Sequence, residues 1–131
     1  MPTLHRGKHF VIHHHSATGY VHFVRTEAVF ASHIEIVNAV RECERALSEV
    51  NASASGILLD WRRSPMSTDA NLHSVVVKHC DALAAPFRRR AVILATPVGR
   101  MQAQRIIRTH SDITHEIFGD IDAAITYVTG K

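Results

Sequence analysis

With 131 residues, 46% of them hydrophobic and 21% charged, the chain has the size and apolar content of one self-supporting domain spanning 1–131. A mean hydropathy of −0.02, with no apolar run of bilayer length, argues against a disordered chain and against a transmembrane segment. The net charge of +3 is too small to point to nucleic acid, and eleven histidines make the charge pH-sensitive below about pH 6.5.

Residues 1–8 lack the apolar core of a secretory signal. Cys43 and Cys80 fall inside helical patterns without CxxC spacing, which reads as two buried, reduced thiols in a cytoplasmic protein. Phe10 to Ala17 and Tyr20 to Thr26 read as strands of a hairpin turning at Thr18-Gly19. Ser32-His33-Ile34-Glu35 is a capping box, in which a serine oxygen and a glutamate satisfy free N–H groups at a helix start. Behind it Ile36, Val37, Val40, Cys43, Leu47 and Val50 form an apolar stripe.

A polar linker, residues 51–55, leads into Gly56-Ile57-Leu58-Leu59-Asp60. A short continuous apolar run of this kind suits a strand buried on both faces, as in a parallel sheet. A second helix spans Ala70 to Ala84, with Leu72, Val75, Val76, His79 and Leu83 on one face, and Pro86 stops it. Arg88-Arg89-Arg90 leads into a strand at Ala91–Ala95. Thr96 and Pro97 then supply the N-cap and first turn of a third helix, with Met101, Ile106 and Ile107 expected inward and Arg100, Arg105 and Arg108 at least partly outward. Thr114 to Phe118 makes a last strand, and Asp120 caps a helix carrying Ile121, Ala124, Ile125 and Val128. Alternating strand and helix units imply a mixed, mostly parallel sheet of about five strands with four helices and right-handed crossovers.

Several residues carry candidate chemistry. His13 and His15 share one strand face; the imperfect alternation does not fix the hairpin register, but if Thr18-Gly19 is a two-residue turn, His15 lies opposite His22, and three imidazoles on one face suit zinc or nickel, or are surface or half-buried histidines on an outer strand. Asp60 stands at the carboxyl end of its strand, where open α/β sheets place ligands, or anchors its own turn by pairing with Arg62 or Arg90. Thr96 and Arg100 at a helix start suit an anion, or a well-capped helix. Ser64, Ser67 and Thr68 are helix-capping hydroxyls that also offer a phosphate acceptor beside Arg62 and Arg63. Trp61 and Phe87 read as core residues. No nucleophile elbow, HExxH or paired-glutamate pattern stands out, so the residues give no support to an enzyme and call for no cofactor.

The strand closing on Asp60-Trp61-Arg62, the segment Arg90-Ala91-Val92-Ile93-Leu94-Ala95-Thr96-Pro97-Val98-Gly99-Arg100, and the ending Ile117-Phe118-Gly119-Asp120 with its amphipathic helix together resemble STAS-like domains, the fold of anti-sigma-factor antagonists. The likeness runs over nearly the whole chain, and it is greatest to uncharacterised single-domain bacterial members. It implies a non-enzymatic regulatory domain that binds a protein partner or pairs with itself. The alternative it leaves is a binder of a small anionic or amphipathic ligand, a nucleotide or lipid, at Asp60, Arg62, Arg63, Thr96 and Arg100. Antagonist members are phosphorylated on a serine after the aspartate strand, which maps to Ser67 or Thr68; the Asp-Ser-Ser/Ala-Gly motif around that serine is replaced here by Ser64-Pro65-Met66-Ser67-Thr68-Asp69.

Overall fold

The computed structural model describes residues 3–64, 70–110 and 115–130. Among these, six strands form one sheet in the order of the sequence: β1 (Thr3–Arg6), β2 (Phe10–His15), β3 (Tyr20–Arg25), β4 (Gly56–Asp60), β5 (Arg89–Ile93) and β6 (Glu116–Phe118). β1, β2 and β3 are antiparallel, whereas β3 through β6 are parallel. The apolar run Gly56–Asp60 is buried at every position, as a strand packed on both faces requires. It pairs in parallel with β3 on one side and β5 on the other, with Leu58 between His22 and Ala91.

Two features of the antiparallel half differ from the sequence reading. β1 is a sixth strand, paired to β2 across a Gly7 turn in which Gly7 N–H donates to Phe10 O. Its residues, Thr-Leu-His-Arg, are half-exposed and lack an apolar alternation, so no periodic signal marks this edge strand. The β2–β3 hairpin closes with four residues, 16–19, so His13 faces His22 and His15 faces Tyr20. A two-residue loop of type I′ needs positive φ at both central positions, which β-branched Thr18 resists. In the four-residue loop only Gly19 adopts it, at φ 80°. The register therefore moves by two residues, which leaves every side chain on its expected face.

The helices are α1 (His33–Leu47), α2 (Ala70–Ala84), α3 (Pro97–His110) and α4 (Ile121–Thr129). Ser32 Oγ accepts from Glu35 N–H, while Glu35 Oε1 accepts from Ala31 N–H. Asp120 caps α4 by accepting from Ala123 N–H. Because consecutive parallel strands are neighbours, right-handed crossovers carry their helices to one face of the sheet. On that face α1 and α2 bury Phe10, Ile12, Val21, Phe23, Ile57, Leu59 and Val92 with Ile36, Val40, Cys43, Val76 and Cys80. Phe87 is buried there, and Trp61 packs against the same cluster. α4 returns over the opposite face, where Ala124 and Val128 cover Tyr20, Leu58, Ala91 and Ile93. A side chain at Gly56 would run into the Val128 backbone, so this close approach of helix and strand depends on glycine.

The inward face of α3 is corrected. Met101 is 66% exposed and Val98 62%, while Arg100 is half-buried and its guanidinium lies on Gly119. Met101 precedes Ile106 and Ile107 by five and six residues, spacings that fall outside the three-and-four rule for one helical stripe. Ser67, Thr68 and Thr114, and the side chains of Ile106 and Ile107, lie outside the described residues.

Candidate functional site at the carboxyl ends of the strands

Asp60 ends β4 with its side chain on the α4 face of the sheet, and it is 3% exposed. Its Oδ1 accepts from Arg62 N–H at 3.2 Å and Nε at 2.9 Å, and its Oδ2 accepts from Arg62 Nη2 at 2.7 Å. His22 Nε2, across the sheet on β3, stands 2.8 Å from the same Oδ2. A carboxylate only accepts, so Nε2 carries the proton. Burial alone pushes the Asp60 carboxyl up, but the hydrogen bonds from His22 and Arg62 outweigh it and hold the group well below the usual carboxylate range. The hydrogen bond to Asp60 also raises the Arg62 guanidinium. Of the two arginines that could pair with Asp60, Arg62 does so; Arg90 instead donates to Phe87 O at 2.8 Å.

The histidine face is assembled next to this carboxylate. His13 and His22 rings lie 6.2 Å apart and His15 and His22 rings 6.4 Å apart. His13 Nδ1 is 3.2 Å from the Thr3 hydroxyl, and His15 stacks on Tyr20 at 4.3 Å. Burial, and then the neighbouring histidines, lower the pKa of His13 and of His15. Among the described residues, no three His, Cys, Asp or Glu side chains converge on a point that would hold a metal ion. Asp60 is the carboxylate that orients His22, and β3–β4 pairing brings it there across 38 residues.

The remaining predicted residues do not join this group. Arg63 turns to the β3–α1 loop and forms an exposed ion pair with Glu27. Thr96 Oγ1 caps α3 by accepting from Gly99 N–H at 3.0 Å. Arg100 points toward Gly119. Among the described residues the strand order runs without reversal, unlike the doubly wound sheets that seat ligands where the order reverses.

Three buried polar groups escaped the sequence reading. His9 stacks on Phe30 at 4.1 Å, with Nε2 at 2.9 Å from Glu35 Oε1. His115, just before β6, places Nε2 2.7 Å from Asp81 Oδ1 on α2. Arg25, at the end of β3, is 3% exposed. Each sits in a segment without a motif, and only its burial marks it out.

A sequentially ordered mixed sheet with three crossover helices and a returning α4 defines an α/β fold of the kind the sequence motifs resemble. No family model matches the chain, and no curated protein matches it. Among solved structures, an uncharacterised protein of the DUF3478 family from Shewanella loihica PV-4, with a SpoIIAA-like fold, matches at a TM-score of 0.63 and 14% identity, covering 95% of this chain and 98% of that one. The fold is the SpoIIAA-like, STAS-like one, and at this identity the likeness speaks to fold alone. Among the described residues no helix is long and apolar enough to cross a membrane.

Proposed function

We propose that the chain is a non-enzymatic recognition domain of the STAS-like type that docks a protein partner, in the first instance a second copy of itself, on the outer face of α3. The observation that carries this reading is a contrast at the carboxyl edge of the sheet. The polar groups there are tied to one another: Asp60 to Arg62 and His22, Arg63 to Glu27, Thr96 to its own helix. Beside them Val98 and Met101, one helical turn apart, are about two-thirds exposed. Exposed apolar side chains grouped beside spent polar ones suit docking better than chemistry.

Sedimentation equilibrium from about 1 μM to about 1 mM, the range of weak association, tests it. The wild-type chain is expected to self-associate, and Met101→Glu or Val98→Glu to weaken that association at least tenfold. A chain that stays monomeric over the whole range overturns self-docking on α3.

A further inference from the structure

Arg25 closes β3 on the face packed by α1 and α2. Its guanidinium carbon lies 5.5 Å from the centre of the Phe30 ring and 5.5 Å from that of the Trp61 ring. Nε and Nη1 are sealed from solvent, and neither has an acceptor. The other arginines around the sheet are served differently. Arg62 and Arg63 hold carboxylates, and Arg88, Arg89 and Arg90 donate to backbone carbonyls. Among the described residues of that group, Arg25 is the one that is 3% exposed and whose Nε and Nη1 meet no acceptor.

A guanidinium keeps its charge in a protein interior, although burial lowers its pKa here. Cys80 is the nearby group whose ionisation would supply a counter-charge. Burial holds its thiol up at about 12, so it is neutral at physiological pH. Two aromatic faces offset only part of the cost of an isolated buried cation, and they leave its in-plane N–H groups unanswered. Native interiors answer such donors with an acceptor.

We infer that Arg25 is the floor of an anion-binding site, walled by Phe30 and Trp61, that takes a small oxyanion: a carboxylate or a phosphate. The planar guanidinium edge matches either group through paired N–H donors. Phe30 comes from the β3–α1 loop and Trp61 from the turn after β4. The exposed Arg63–Glu27 ion pair ties these two segments together on the outside. The site shares no residue with the α3 docking face, so each reading stands or falls separately.

The test is thermal unfolding of the full chain at constant ionic strength, with acetate or inorganic phosphate exchanged for chloride. A bound anion stabilises the native state by mass action, so Tm should rise saturably, by about 5–10 °C at a hundredfold excess over Kd. Arg25→Met should keep only the gradual, non-saturating rise that kosmotropic anions give any protein. The two anions distinguish the sources, since the one that is recognised saturates and the other does not. The Arg25 Nε–H resonance of ¹⁵N-labelled wild type provides a readout that does not require the variant to fold, and it should move with the same midpoint. An unmoved resonance with both anions, or equal saturable stabilisation of wild type and Arg25→Met, overturns the assignment.

Discussion

Asp60→Asn is the substitution on which the description of the site depends most directly. The carboxylate accepts three hydrogen bonds from Arg62 and sits within bonding distance of His22 Nε2. Asparagine keeps the shape but removes the charge, and it sets an NH₂ group against donors from His22 or Arg62. Removing one partner of a fully buried ion pair costs about 3–5 kcal/mol. Arg62 has 38% of its side chain exposed and can rehydrate, so the cost here should be smaller, about 2–3 kcal/mol. For a chain of this length that lowers Tm by roughly 10 °C. The pH dependence supplies an independent check. The folded-state pKa of Asp60 is depressed, so its contribution is complete above the unfolded value of about 3.9 and is lost as pH falls below it. Urea unfolding from neutral to acid pH should therefore show a constant gap between wild type and variant above about pH 5, narrowing below about pH 4. A gap under about 0.5 kcal/mol at neutral pH, or one that widens in acid, refutes the reasoning.

Three further outcomes follow from other parts of the fold. Gly56→Ala would drive a methyl group into the Val128 backbone carbonyl and to 2.7 Å from its Cβ, and should lower stability by about 3 kcal/mol in denaturant unfolding; Gly119→Ala meets only the movable end of Arg100 and should cost less than about 1 kcal/mol. The depressed pKa values of His13 and His15 mean that the unfolded chain binds protons there first, so stability is full above about pH 6.5 and falls below it; replacing both with asparagine should flatten that part of the stability–pH profile, and an unchanged profile contradicts the assignment.

Residues whose consequences are local were legible in the sequence. The Gly56–Asp60 run, the Ser32 and Asp120 caps and the stripe on α4 all act within a few residues, through helix geometry and the free N–H groups of a helix start. The Met101 error is also local, because spacings of five and six were read as one stripe. β1 was illegible because an edge strand needs no apolar face of its own. The turn at 16–19 was misread by two residues because composition alone does not decide how many residues precede the glycine that takes positive φ.

What the sequence by itself determined is therefore every strand and helix except β1, their parallel core and the STAS-like character of the fold, since period and capping are written in neighbouring residues. The tertiary structure alone decided which polar groups meet. Asp60 is held by His22 from 38 residues away, and Arg25 is enclosed by Phe30 and Trp61. Such partnerships depend on strand register and on which sheet face a crossover covers, and both are settled only when distant segments pack.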